Sequence, residues 1–248
     1  MPELQGLILA GGEGSRLAVG GAGGGIPKPM VRVAGRPQVV RLIETLEDLG
    51  CSTITCMVRD EFPDVVADLG GRRHSWRGSV RVHGCRTPSS LHTLAEGLAR
   101  VPEAGDGVFV TMVDTVMRRD DWRGVFAAAG EHLAAGSDAV LAVTPFVDDE
   151  AALYVSSDAG AGGRARVRRI SSTPLEPVSV TGGVYAFAPR VRPLAADALK
   201  DGVVRMRNFL ARLVDRSFVV TAVSVPRIMD LDRPSDLEAA NAWLGEHE

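Results

Sequence analysis

Leu7-Ile8-Leu9-Ala10-Gly11-Gly12-Glu13-Gly14-Ser15-Arg16-Leu17 runs from a strand-like apolar stretch straight into a glycine-rich turn, and Ile26-Pro27-Lys28-Pro29 follows soon after. Glycines admit positive φ and let successive N–H groups approach a ligand, so this turn offers an anion-binding concavity beside Arg16 and Lys28. Lys28 is one of only two lysines among the 28 lysines and arginines of the chain. A sequence that otherwise uses the planar guanidinium places a compact ammonium here, which points to a phosphate oxygen nearby. The later cluster Gly20-Gly21-Ala22-Gly23-Gly24-Gly25 reads as a flexible surface loop.

Two familiar phosphate motifs do not fit. A P-loop needs Gly-Lys-Ser/Thr, but Gly25 and Lys28 are separated and Pro29 follows the lysine. A dinucleotide fingerprint needs a third glycine where Leu17 stands, which disfavours a nicotinamide oxidoreductase.

Outward from this segment, strand-like and helix-like patterns alternate. Leu7 to Ala10, Thr53 to Val58, Val80 to His83, Val108 to Val113, Ala139 to Thr144 and Val219 to Val225 are mostly continuous apolar runs, as in strands buried on both faces. Val39, Leu42, Ile43, Leu46 and Leu49 share one helical face, and Leu91, Leu94, Leu98 and Val101 share another. The alternation predicts an α/β fold in three layers, α/β/α, around a mixed, mainly parallel sheet. Short stretches at Leu153 to Ser156 and Arg166 to Ile170 predict a β-hairpin excursion, after which Val180 to Phe187 resumes a strand. No long linker divides the 248 residues, so one domain is expected, in two halves, residues 1–145 and 146–248.

The glycine segment resembles the signature of the sugar-1-phosphate nucleotidylyltransferase superfamily, in which Leu-Ala-Gly-Gly leads to G-x-G-x-R-Leu/Met and then to Pro-Lys-Pro. Leu9 through Leu17 and Pro27-Lys28-Pro29 match that signature, and Val33-Ala34-Gly35-Arg36-Pro37 resembles the family's entry to its first helix. The resemblance implies a Rossmann-like nucleotidyltransferase fold. It also implies transfer of a nucleotide from a nucleoside triphosphate to a phosphorylated acceptor, with a magnesium ion as cofactor. Arg16 and Lys28 take catalytic places, and Leu9, Ala10, Gly11, Gly12, Glu13, Gly14 and Ser15 take nucleotide-binding ones.

Further elements carry chemistry. Phe109 to Val113 is an apolar run ending in Asp114, and strand ends are where ligands sit in open α/β sheets. In Met229-Asp230-Leu231-Asp232-Arg233-Pro234, alternation puts Asp230 and Asp232 on one face of an extended segment before a terminal helix. By resemblance Asp114 takes the place of the metal-binding aspartate, and one or both of Asp230 and Asp232 complete the site, a choice the residues leave open. Magnesium prefers such hard oxygen ligands. Asp236 reads as a first-turn helix charge.

Thr87-Pro88-Ser89-Ser90-Leu91 reads first as a helix cap. It also resembles the nucleotide-reading run of the choline-phosphate cytidylyltransferase-like branch, which puts Thr87, Ser89 and Ser90 beside the nucleotide. Thr181-Gly182-Gly183-Val184-Tyr185 resembles the strand where Gly182 and Gly183 admit the acceptor, while glycine inside a strand equally marks a bulge. The Glu-Lys-Pro of the sugar branch is absent, since Ser171-Ser172-Thr173-Pro174 occupies that region. Arg205, Arg207 or Arg227 is then expected to bind the acceptor phosphate.

With a net charge of −3 and a pI of about 6.0, the chain has no global basic field for nucleic acid or an anionic membrane. Cys51, Cys56 and Cys85 lack metal-type spacing, and the five histidines never pair at ligand spacing. With no basic leader and no long apolar run, a soluble, cytoplasmic protein is expected, and a homodimer stays open. The rival readings are a molybdopterin- or isoprenoid-precursor-type cytidylyltransferase, or a non-catalytic nucleotide-binding subunit of the same fold.

Overall fold

The structure, a computed structural model, describes residues 2–12, 26–72, 75–147, 152–158 and 164–245. Its first half contains β1 (Leu4–Ala10), β2 (Arg32–Val33), β3 (Arg36–Pro37), α1 (Gln38–Asp48), β4 (Thr53–Arg59), α2 (Pro63–Gly71), β5 (Ser79–Cys85), α3 (Ser90–Arg100), β6 (Gly107–Met112) and β7 (Thr115–Val116). The second contains α4 (Arg119–Ala134), β8 (Ala139–Thr144), β9 (Leu153–Asp158), β10 (Ala165–Ser171), β11 (Val180–Phe187), α5 (Arg192–Lys200), α6 (Met206–Asp215), β12 (Val220–Ser224), β13 (Met229–Asp230) and α7 (Pro234–Gly245).

The main sheet has nine strands in the order β5-β4-β1-β6-β11-β8-β12-β10-β9. β1 pairs in parallel with β4 and β6, β4 with β5, and β8 with β12, whereas β11 runs antiparallel between β6 and β8. The sheet is therefore mixed and mainly parallel. The β9–β10 excursion extends one edge, and β9 also meets the start of β11 through Val180–Tyr154 and Thr181–Leu153.

All seven residues of β1 are buried, and alternation sends its apolar side chains to two cores. Ile8 and Ala10 pack with Leu42, Ile43 and Leu46 of α1, Val65 of α2 and Trp122 of α4. Leu7 and Leu9 pack with Leu91 and Leu94 of α3, Ala195 of α5 and Phe209 of α6. This is the three-layer α/β/α arrangement, and it explains the unbroken apolar strands, because a strand covered on both faces has no solvent side to keep polar.

A smaller third core gathers Val31, Val33, Val116, Met229, Leu231, Ala240 and Leu244. It lies behind a two-stranded ribbon in which Met229 pairs with Val116 and Asp230 with Thr115. Val101, expected on the face of α3, instead ends that helix with extended backbone.

His132 of α4 is nearly buried, with Nδ1 3.0 Å from Thr221 Oγ1. Burial holds its pKa below the ordinary value, reinforced by the charge of Arg164 and opposed by Glu131. The unfolded chain therefore takes up this proton first as pH falls. Stability should be full above about pH 6.5, the ordinary histidine value, and decline below it. Thermal melts of wild type and His132→Gln between pH 8 and 5 check this, and the variant should show a smaller decline; the remainder includes His83, whose pKa burial also lowers.

Candidate active site

β1 and β6 are parallel neighbours, with Leu9 opposite Met112, so the chains leaving them emerge side by side. Gly11 follows one strand and Asp114 the other, at a point where β4 lies to one side of β1 and β6 to the other. Crevices at the carboxyl ends of strands open where the connections diverge in this way. Val113 N–H donates to the Leu9 carbonyl at 3.0 Å and Leu231 N–H donates to the Asp114 carbonyl at 3.0 Å, which fixes the Asp114 backbone from both sides.

Lys28 lies in a short 3₁₀ turn, Lys28–Met30, with Pro27 before it and Pro29 buried within it. The turn is held to the body of the protein by Val31 in the third core and by the Gln38 N–H, which donates to the Val31 carbonyl at 2.9 Å. Buried Gln38 also donates through Nε2 to the Thr115 carbonyl at 2.8 Å, tying this segment to β7.

Lys28 Nζ donates to Asp114 Oδ2 at 3.0 Å and to Asp232 Oδ1 at 2.6 Å. The side chains are 12%, 21% and 35% exposed respectively, so the group is partly withdrawn from water but open on the Asp232 side. Burial by itself would lower the Lys28 pKa; the charges and hydrogen bonds of Asp114 and Asp232 outweigh it, and the net shift is upward. The lysine stays protonated at any pH the protein meets. Two carboxylate oxygens converging on one cationic position are also a donor set that suits a magnesium ion.

The three candidate metal aspartates do not play equal parts. The lysine's carboxylate partners are Asp114 and Asp232, whereas Asp230 lies on the crevice wall, where its charge bears on Tyr185. Among the described residues, no three acidic, histidine or cysteine side chains form a group able to hold a metal. Asp236 has backbone partners: its Oδ2 accepts from the N–H groups of Asp232 and Arg233 at 3.0 and 2.7 Å. It thereby caps the start of α7 and orients the Asp232 backbone, the inward reach of a third-position carboxylate.

The crevice beyond the lysine has a volume of roughly 480 Å³ and takes its walls from both halves of the chain. Ser89, Ser90, Met112 and Asp114 come from the first half, and Thr181, Gly183, Tyr185, Arg205, Arg207, Asp230 and Asp232 are among those from the second. Gly183 has φ of +76°, and a Cβ there would lie 2.6 Å from Thr115 Oγ1. It marks an irregularity in the β11–β8 register, and Thr115 Oγ1 donates to the neighbouring Gly182 carbonyl at 3.0 Å. The bulge expected of a strand glycine is present, at the crevice wall.

Of the residues expected beside the nucleotide, Ala10 and Leu9 have their side chains buried in the two cores, one in each. At Gly11 a Cβ would stand 2.8 Å from Thr93 Oγ1, so only glycine lets the turn pack against α3. Glu13, Gly14, Ser15 and Arg16 lie outside the described residues. Ser89 is the N-cap of α3, accepting from His92 N–H at 3.4 Å and donating to the Val204 carbonyl. Ser90 Oγ accepts from Met206 N–H at 3.3 Å, so it tethers the start of α6. Thr87 Oγ1 stands 2.6 Å from Thr93 Oγ1 beneath the turn.

The arginines separate. Arg205 and Arg207 border the crevice, while Arg227 stacks 4.0 Å above the Phe146 ring and 5.4 Å from that of Trp243, in a different groove that also includes Arg118. Arg227 thus lies apart from the crevice that Arg205 and Arg207 border, its guanidinium face covered by aromatic rings. The sequence reading passed over Arg59, at the end of β4, which donates to the Gly11 carbonyl at 3.4 Å while Glu61 holds its guanidinium at 2.9 and 3.2 Å. Its place at the carboxyl end of a strand beside β1 was the available signal.

Comparison with known proteins places the chain. The family model for the MobA-like NTP transferase domain matches residues 6–216. The curated bifunctional protein GlmU of Azorhizobium caulinodans is 27% identical over 115 residues, 46% of this chain, and the match spans only 24% of that relative's length. Among solved structures, the inositol-1-phosphate CTP transferase from T. maritima superposes with a TM-score of 0.77 at 17% identity, covering 99% of this chain and 97% of the other. A Bacillus anthracis protein assigned as a glucose-1-phosphate thymidylyltransferase, solved with sucrose, gives 0.74 at 20% identity, covering 99% and 96%. These similarities establish the fold.

The two adjacent serines have distinct structural duties, and substitution should separate them. Ser89→Ala removes a helix cap and should cost about 1 kcal/mol in urea unfolding. Ser90→Ala leaves the cap in place and should cost less in the same measurement; if the two changes destabilise equally, Ser89 is not the cap.

Proposed function

The chain belongs to the MobA-like NTP transferase domain family and is a nucleotidyltransferase; on that premise we propose that it transfers a nucleoside monophosphate from a nucleoside triphosphate to a phosphorylated small molecule, releasing pyrophosphate. The acceptor is a sugar-1-phosphate or a related alcohol phosphate or phosphonate. The observation that carries this reading is the convergence of Lys28, Asp114 and Asp232 at the mouth of a crevice walled by two arginines.

The reaction is an in-line attack by an acceptor phosphate oxygen on the α-phosphorus, with pyrophosphate leaving on the opposite side. It needs no protein nucleophile, so catalysis is positioning together with stabilisation of developing charge. Lys28 bears on the α-phosphate, since its ammonium sits on a flexible stem at the end of a fixed turn. Arg16 and the amides of the Gly11 to Ser15 turn receive the β- and γ-phosphates. Thr87, Ser89 and Ser90 border the nucleotide, residues 1–145 forming its half of the site.

Arg205 and Arg207, at the start of α6, take the acceptor phosphate, and Gly183 lets the acceptor approach β11. Asp114 and Asp232 are the residues that would hold magnesium, and Asp230 faces the acceptor side. When bound there, the ion would neutralise phosphate charge between the two substrates.

A pyrophosphate-release screen of four nucleoside triphosphates against sugar, inositol, choline-type and phosphonate acceptors tests the reading. One pairing should release pyrophosphate; release with none of them would favour a non-catalytic nucleotide-binding subunit. Lys28→Ala and Arg16→Ala should each lower kcat roughly 10²- to 10³-fold, the loss expected for one preorganised charge-stabilising donor. Asp114→Asn and Asp232→Asn should raise the magnesium concentration needed for half-maximal turnover, and Asp230→Asn should raise it much less. Equal effects at all three would remove the distinction between them.

A further inference from the structure

The backbone at Asp114 and at Asp232 is held by the fold, whereas the cation between their carboxylates is on a long, movable stem. The Asp114 carbonyl accepts from Leu231 N–H, the preceding Val113 N–H donates to the Leu9 carbonyl, and the Asp232 N–H donates to the Asp236 carboxylate. Lys28 has a fixed backbone between two prolines, and among the described residues the hydrogen bonds of its side chain go to the two carboxylates, at 3.0 and 2.6 Å. If the ammonium leaves, the held backbone keeps the two short side chains near one another, without that countercharge.

A divalent ion bound between the same oxygens would meet the ammonium at a few ångströms. At that distance a divalent ion and an ammonium repel each other, and more strongly at a half-buried site than in water. Ammonium and metal are therefore competitors for one position. The competition is relieved when another anion accepts the ammonium, and the phosphate placed against Lys28 by the proposed reaction has that chemistry.

We propose that Lys28 is the resident counter-ion of the Asp114–Asp232 pair, and that a divalent cation gains this site only when a nucleotide phosphate draws the ammonium away. The proposal rests on the metal reading given above and adds to it an order of binding. Nucleotide-free protein holds the divalent ion weakly, nucleotide and metal strengthen each other's binding, and by linkage the strengthening is the same in both directions. The arrangement also spares the nucleotide-free protein two unpaired, partly buried carboxylates.

The experiment is a titration of Mn²⁺ into the full-length, nucleotide-free protein, followed by the electron paramagnetic resonance signal of the free ion. Wild type should bind weakly at this site. Lys28→Gln should bind one Mn²⁺ on the order of 10-fold more tightly, or better, as expected for removing one like charge at contact distance. The gain should vanish in Lys28→Gln/Asp232→Asn, and Lys28→Arg, which keeps the charge, should bind no more tightly than wild type. Lys28→Met stands in if Lys28→Gln does not fold.

The proposal is overturned if the neutral variants bind Mn²⁺ no more tightly than wild type. It is also overturned if wild type already binds one ion as tightly as they do. The metal reading has its own readout, the magnesium requirement for turnover of Asp114→Asn and Asp232→Asn. A raised requirement there, with no gain of Mn²⁺ affinity in Lys28→Gln, removes the counter-ion role alone; an unchanged requirement removes both.

Discussion

An ammonium shared by two carboxylates draws together three stretches of chain that the sequence keeps far apart, with Lys28 86 residues from Asp114 and 204 from Asp232. Partly buried charges are costly to desolvate, and such a cluster persists only where each member has an opposite charge in hydrogen-bonding reach. Around it the fold supplies rigidity. Gln38 ties the lysine turn to β7, the ribbon of β7 with β13 carries the second aspartate to the first, and α7 covers the third core behind them.

That third core gives the terminal helix its importance to the site. Ala240 and Leu244 of α7 pack on Leu231 and Val33, while the Asn241 side chain accepts from the Ala34 N–H at 2.8 Å. The helix thus holds both the lysine's hairpin and the segment that carries Asp232. Its first turn adds Asp236, whose carboxylate fixes the backbone at Asp232. Packing, capping and the charged cluster are one connected arrangement, in which a weakened apolar contact behind the ribbon would be felt by the carboxylate in front of it.

In the function proposed above, the acceptor side uses arginine, unlike the sugar-nucleotide pattern the chain resembles. A guanidinium fork matches a phosphate through two parallel hydrogen bonds, where a lysine offers a point charge. Arg205 and Arg207 stand where the start of α6 meets the start of α3, bound together by Ser89 with Val204 and by Ser90 with Met206. Walls from the two halves of the chain are in this way joined, which is what positioning catalysis requires of a scaffold.

The layers of the fold were legible because they depend on local patterns. Continuous apolar strands such as Leu7 to Ala10 announce a sheet covered on both faces, and the 3.6-residue spacing of Val39, Leu42, Ile43 and Leu46 announces a covering helix. The turn at Gly11, the strand-end Asp114 and the helix start at Ser89 were legible for the same reason, each being a signal within a few residues. What the sequence left open is pairwise and distant. Asp230 and Asp232 share one face of an extended segment, and only the ribbon register and the cap from Asp236 give Asp232 to the lysine. Arg205, Arg207 and Arg227 are equivalent as residues, and only the packing of Phe146 and Trp243 withdraws Arg227 from the crevice. Residue type and spacing decide which elements form; which of several like charges meet across the crevice is decided by tertiary contacts, because no local periodicity encodes a neighbour 204 residues away.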